Sequence, residues 1–190
     1  MRIEQLRREF EFDLTWRVFP LHPEIPEEGM TLEELFSGRI DIAAIMTRLN
    51  GVASELELPF GKRIRTYNSR RAQELGKWAE DVNRGDQFKK TIYHAYFVDG
   101  RNIAQPHELT ALASMIDLDP GEARQVLDQE CYAAAVDADW QRASELGVTA
   151  VPTVVYGDRQ LVGFQAYDNY RRLLAANDSG LAGPFGKNNR

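Results

Sequence analysis

One cysteine, Cys131, stands in a chain of 190 residues. A single thiol excludes an intrachain disulfide, a Cys-X-X-Cys pair and a multi-cysteine metal centre within these residues. Histidine is also scarce, at three. His94 and His107 fall on helical stretches and share no metal-ligand spacing. Glycine (14) and proline (8) are too few for collagen-like or low-complexity chains. No apolar run approaches the ~20 residues of a membrane helix. The longest, Val148 to Tyr156, is interrupted by Pro152. The opening MRIEQLRREFEFDL lacks the apolar core of a secretory signal. Positive charge is also in deficit. With 23 basic and 29 acidic residues the net charge is −6, which argues against non-specific nucleic-acid binding. The expectation is a cytoplasmic protein with no membrane, nucleic-acid or metal partner.

What is present is enough for a folded core. Hydrophobic residues make up 43% of the chain and charged residues 27%. The length corresponds to one domain, or one domain carrying a large insertion. Ile3, Leu6 and Phe10 space a short amphipathic helix over residues 2 to 10. Phe12, Leu14, Trp16 and Val18 alternate, which predicts a strand. Residues 20 to 30, PLHPEIPEEGM, hold Pro20, Pro23, Pro26 and Gly29, so this stretch is an ordered loop without regular structure.

From Ile40 the periodicity turns helical for about a hundred residues. The stripe Ile42, Ile45, Met46, Leu49 extends through Val52, Leu56 and Leu58 until Pro59 and Gly61 break it. Asn68 or Ser69 caps the next helix, with its stripe Ala72, Leu75, Ala79, Val82. Phe88, Ile92, Ala95 and Tyr96 mark a helix over Asp86 to Phe97. Pro106 opens another, with Leu109, Leu112, Ala113 and Ile116. Asp119-Pro120-Gly121-Glu122 combines an N-cap, a proline at the first helical position and the glutamate of a capping box. A helix from Tyr132 to Leu146 carries Val136, Trp140 and Ala143, and Gly147 ends it. TVVYGDRQLVG reads as a β-hairpin. A helix over Tyr167 to Ala176 follows, and NDSGLAGPFGKNNR, residues 177 to 190, reads as a mobile tail.

Two readings of Gly147-Val148-Thr149-Ala150-Val151-Pro152-Thr153 stand side by side. Proline is tolerated at the first residue of a strand, because it has no N–H to give to a ladder. A cis bond before proline occurs in about 5–6% of cases, so the residues alone favour an ordinary trans proline. Cys131 reads as a small buried hydrophobe, since free cysteine is among the most buried residue types. Trp16, Trp78 and Trp140 read as core or domain-interface residues. Arg63, Arg65, Arg70 and Arg71 read as a solvated face. His22 reads as a loop histidine with a structural hydrogen bond.

The segment Gly147 to Thr153, followed by a short hairpin and a helix, resembles the cis-proline segment of thioredoxin-fold proteins. More closely, it resembles the DsbA-like family that includes FrnE-type dithiol oxidoreductases and 2-hydroxychromene-2-carboxylate isomerases, relatives of kappa-class glutathione transferases. Four more stretches, in order, carry the same resemblance: Trp16 to Pro23, Tyr67 to Ala72, Ala95 to Ile103, and Leu161 to Tyr167.

The resemblance implies an α/β thioredoxin-like fold with a large all-helical insertion. Residues 1–40 would form its first part, 41–136 the insertion, 137–176 the second part and 177–190 the tail. It implies thiol–disulfide exchange on a protein or peptide substrate, or, in the alternative, a glutathione-dependent isomerase or transferase, or a redox-inactive remnant that binds a peptide. Glutathione is the one cofactor it suggests, and a homodimer the oligomer. Val151, Pro152 and Thr153 would line the substrate face, with His22, Asn68 and Gln165 near it. The family's first strand and Cys-X-X-Cys turn would lie just upstream of Met1, so no catalytic cysteine pair is expected among these residues.

Overall fold

The computed structural model describes residues 2–178. They divide into two compact units, one of residues up to Leu21 together with those from Gln141 onward, the other His22–Trp140.

In the first unit, α1 (Arg2–Glu9) buries Leu6, as the three-and-four spacing predicts. The segment that follows is a correction. Phe12 to Phe19 carries no strand assignment. Phe12 and Leu14 are half-buried, but Trp16, on the same face of the predicted strand, is 50% exposed. Alternation describes where side chains could point, whereas a strand exists only through a hydrogen-bonded ladder. Trp16 is accordingly not a core residue. Trp78, by contrast, is buried.

Further along, β3 (Thr153–Tyr156) and β4 (Arg159–Val162) pair antiparallel through a two-residue turn at Gly157 and Asp158. Gly157 has φ +63°, the left-handed conformation that such turns require. The second strand thus begins two residues earlier than the hairpin reading placed it. α9 (Tyr167–Asp178) buries Tyr170 and Leu173. It is tied to α1 by Tyr167, whose hydroxyl donates to Glu9 at 2.7 Å, and by the Arg171–Glu9 ion pair at 2.9 Å. Of the expected tail, Asn177 and Asp178 belong to α9, and the rest lies outside the described residues.

The second unit begins with the proline-rich loop. A two-residue bridge pairs β1 (Met30–Thr31) with β2 (Arg65–Thr66), and α2 (Leu32–Phe36) follows β1 directly. The loop, β1 and α2, assigned with residues 1–40 on sequence grounds, thereby group with the helices. The sequence reading overlooked α2, although its signal is present. Thr31 Oγ1 accepts from Glu34 N at 3.1 Å and Glu34 Oε2 accepts from Thr31 N at 2.7 Å, a complete capping box.

α3 (Ile42–Glu55) is helical as its stripe predicts, yet it buries only Ala53; Ile45 and Leu49 stay exposed. The core comes from α4 (Arg70–Asp81), α5 (Gly85–Phe97), α6 (Pro106–Ser114) and α7 (Pro120–Asp128). Leu75, Ala79, Phe88, Leu109, Ala113, Ala123 and Leu127 interlock there. Val82 falls just past α4 as its C-cap and is exposed, so it leaves the predicted stripe. At α7, Asp119 Oδ1 accepts from Glu122 N at 2.8 Å, but the return bond of a capping box is not made. α8 (Ala133–Glu145) buries Val136. It docks on α4 through polar contacts: Lys77–Asp139 at 2.6 Å and Trp140 Nε1 donating to Gln73 at 2.8 Å.

The arginine cluster is also a correction. Arg63 donates to Thr66 and to the Tyr96 hydroxyl and stacks on the Tyr96 ring. Arg70 bridges buried Glu74 at 2.7 Å and Asp137 at 2.6 Å and lies over Trp140. Arg71 pairs with Glu27 at 3.0 Å, and Arg65 donates to Gly29 O at 2.9 Å. These guanidiniums tie elements together instead of forming a solvated face, because each reaches an acceptor that only the fold brings near.

No helix among the described residues is long and apolar enough to cross a membrane.

The Tyr132 hydroxyl donates to Asp81 at 2.7 Å. Burial, and then the adjacent Asp81 carboxylate, push its pKa up to about 12. The folded protein therefore holds this proton more tightly than the unfolded chain. The resulting stabilisation is complete below the ordinary phenol pKa near 10 and is lost as pH rises towards 12. In a tyrosinate absorbance titration, Tyr132→Phe should remove a component that titrates near pH 12. A titration curve unchanged in its late part would contradict this assignment.

Asn68→Ala should lower stability by about 2–3 kcal/mol in urea unfolding, since it deletes three hydrogen bonds at the head of α4. A loss below about 0.5 kcal/mol, the level of an ordinary surface substitution, would show that these bonds are not needed.

Candidate functional site

Gly147, with φ +66°, ends α8. Its N–H donates to Ser144 O at 2.9 Å, and Val148 N–H donates to Ala143 O at 2.9 Å, so the carbonyls of Ala143 and Ser144 are satisfied. The chain then leaves the helix and runs through residues 148–152 into β3.

The Val151–Pro152 peptide bond is cis. Two short hydrogen bonds hold the loop around it. Thr153 Oγ1 donates to Ala150 O at 2.7 Å, and Gly163 N–H donates to Pro152 O at 2.7 Å. The second bond continues the β3–β4 ladder beyond Thr153 and Val162. Val151 itself is 45% exposed, and its N–H and C=O make no hydrogen bond among the described residues. This is an open backbone donor and acceptor at the entrance to a strand, the arrangement that an added extended segment pairs with.

Gln165 follows β4 at the same end of the hairpin. Its Nε2 donates to Val162 O at 2.7 Å, its Oε1 accepts from Asn169 at 2.9 Å, and its N–H donates to the Tyr170 hydroxyl at 3.3 Å. The side chain joins β4 to α9. Of the residues singled out on sequence, Val151, Pro152, Thr153 and Gln165 thus gather at one end of the hairpin. Ala150 and Gly163, whose carbonyl and amide fix that end, were overlooked. The one signal that could have found Ala150 is the threonine after the proline, whose hydroxyl needs a nearby acceptor.

His22 and Asn68 belong to the helical unit and sit at the proline-rich loop. His22 Nδ1 lies 3.3 Å from Glu24 Oε1, and its ring meets Phe36 edge-on at 6.1 Å. Asn68 donates to Pro23 O at 3.0 Å and to Ile25 O at 2.8 Å, and its Oδ1 accepts from Arg70 N at 2.9 Å. The Asn68 amide is engaged by the loop on one side and by the first turn of α4 on the other.

Cys131 corrects the sequence reading, for it is exposed. α7 stops before Gln129. Glu130 takes φ +50°, and Cys131 N–H donates back to Val126 O at 3.2 Å. This left-handed reversal turns the thiol outward, 3.9 Å from the Gln129 amide oxygen. Among the described residues no group of three or more His, Cys, Asp or Glu could hold a metal ion.

Comparison with known proteins places this geometry. A curated protein, the uncharacterized YwbO of Bacillus subtilis (strain 168), is 26% identical over 99 residues. That match takes in 52% of this chain and 50% of YwbO, so this chain spans about half the length of the curated relative. The fold is similar to that of a probable DsbA oxidoreductase from Streptomyces coelicolor, with a TM-score of 0.77 at 22% identity over 87% of this chain and 75% of that one. It is also similar to that of a 2-hydroxychromene-2-carboxylate isomerase, with a TM-score of 0.66 at 16% identity over 94% and 86% of the two chains. The fold is thus the DsbA-like thioredoxin fold, here mostly helical with a few short strands. The family model described as DSBA-like thioredoxin domain matches residues 1–175, and the chain belongs to that family.

Proposed function

We propose that this chain forms the substrate-holding part of a cytoplasmic, FrnE-like thiol–disulfide oxidoreductase that acts on proteins or peptides. The observation that carries the reading is the open backbone pair of Val151, half-exposed at the head of β3. An extended substrate segment would lay its own N–H and C=O against Val151, adding a strand beside the loop. Thr153 supports this by fixing Ala150, and Gln165 supports it by holding the end of β4 that pairs with Thr153. His22 and Asn68 play a different part, in which Asn68 orders the loop that carries His22.

The exchange reaction needs two thiols. One thiolate attacks a substrate disulfide sulfur, forms a mixed disulfide and expels a substrate thiolate; a second thiol then displaces the first from the substrate. With Cys131 as its single cysteine, this chain cannot complete that cycle alone. The reacting pair is therefore supplied from outside these 190 residues. The second reading is a glutathione-dependent isomerase, favoured by the likeness to the 2-hydroxychromene-2-carboxylate isomerase over 94% of this chain. It would use the same loop to hold glutathione.

Two measurements test the proposal. In an insulin-reduction assay the 190-residue chain and its Cys131→Ser variant should both stay at background. Activity that disappears on Cys131→Ser would overturn the assignment of chemistry to an external pair. Titration with an unstructured peptide should slow hydrogen exchange at the Val151 amide in proportion to occupancy. If glutathione slows it and peptides do not, the isomerase reading replaces the first.

A further inference from the structure

Between β4 and α9 lies an open concavity of about 440 Å³, lined by Arg159, Gln160, Leu161, Asn169, Arg172 and Leu173. Two guanidiniums and no carboxylate line it, in a chain whose net charge is −6. Two periodicities build it. Alternation along β4 puts Arg159 and Leu161 on one face of the strand. Spacings of three and four along α9 put Asn169, Arg172 and Leu173 on one face of the helix. Leu173 is buried and Leu161 half-buried, so the floor is apolar beneath a polar rim.

The rim is unspent. Other arginines of the same unit and of the helical one meet carboxylates, as Arg171 meets Glu9 and Arg101 meets Glu108, though not every arginine does. The Arg159 and Arg172 guanidiniums have no ion-pair or hydrogen-bond partner among the described residues. The amides beside them are held in place. Gln160 donates to Leu146 O at 2.6 Å, and Asn169 donates to Gln165 Oε1 at 2.9 Å. Each primary amide has two N–H donors, so Asn169 keeps one for a ligand.

A guanidinium offers a planar fork of donors that matches the oxygens of a phosphate or carboxylate. One fork satisfies a monoanionic carboxylate. Two forks with an amide and no competing carboxylate suit a dianion. We propose that this concavity binds a small phosphate monoester, its phosphoryl oxygens at Arg159, Arg172 and Asn169 and its apolar part over Leu161 and Leu173. The site is separate from the Val151 loop and does not depend on the function proposed for it.

Phenyl phosphate is a suitable probe, titrated into the isotope-labelled 190-residue chain and followed by nuclear magnetic resonance. Saturable shifts at the side chains of Arg159, Arg172 and Asn169 are expected, with tighter binding than inorganic phosphate. Arg159→Gln and Arg172→Gln should each weaken binding roughly tenfold, as expected for loss of one charge-assisted contact. Both side chains are exposed, so thermal unfolding should be unchanged and serves as the check on folding. Arg171→Gln, outside the lining and paired with Glu9, should leave binding as it is. Shifts that stay linear without saturation, or equal weakening by Arg171→Gln, would overturn the site. Equal affinity for inorganic phosphate would overturn the role of the apolar floor.

Discussion

The helical unit depends on how it satisfies the carbonyls of a loop that satisfies only a few of its own. Pro20, Pro23 and Pro26 remove N–H donors and prevent a regular ladder. An ordered backbone still needs partners for its buried polar groups. The donors come from side chains far along the sequence. Asn68 serves the carbonyls of Pro23 and Ile25, Asn102 serves Glu27, and Arg65 serves Glu28 and Gly29. The loop is thus ordered without secondary structure, and His22 is carried on it. Ile25 and Gly29 are buried as a consequence. Gly29 sits at φ +73° against the Tyr67 ring and Thr66 O, where a side chain would have no room.

The first unit solves a related problem in another way. Its hairpin is short, and its ends are secured by single bonds: Gly163 to Pro152, Thr153 to Ala150, Gln165 to Val162. Side-chain polar groups here serve the backbone first. What remains uncommitted is informative for that reason. The Val151 backbone pair and the Arg159 and Arg172 guanidiniums are groups that the fold positions and then leaves unsatisfied, and each supports a binding hypothesis.

Legibility followed the range of the interaction that decides each feature. The helices α4 to α8 were readable because capping, proline placement and three-and-four spacing act within a few residues. Asp119 at α7 and Gly147 after α8 took the roles their residue types predict. The β3–β4 turn was readable for the same reason, to within two residues. Among the candidate site residues, the grouping of Val151, Pro152, Thr153 and Gln165 was legible only through the resemblance to the DsbA-like family. The bonds that employ Asn68 and Gln165 were not, because their acceptors are set by packing. Cys131 was misplaced because average burial of a residue type was used where local geometry decides, and the strand through Trp16 because alternation was used where a ladder decides. At Cys131 a left-handed residue turned the thiol outward, and at Trp16 an alternating pattern did not form a ladder.

The sequence by itself determined where helices start and stop, which of their faces are apolar, that one thiol cannot complete a dithiol cycle, and which family's pattern the chain follows. These depend on covalent composition and on forces between near neighbours. Only the tertiary structure decided which donors serve the proline-rich loop, that the clustered arginines join elements, that α3 leaves most of its apolar stripe outside the core, and that Arg159 and Arg172 share a rim. Each of these requires residues distant in the chain to meet, and the cost of leaving a buried polar group unsatisfied selects their partners only once packing has brought them together.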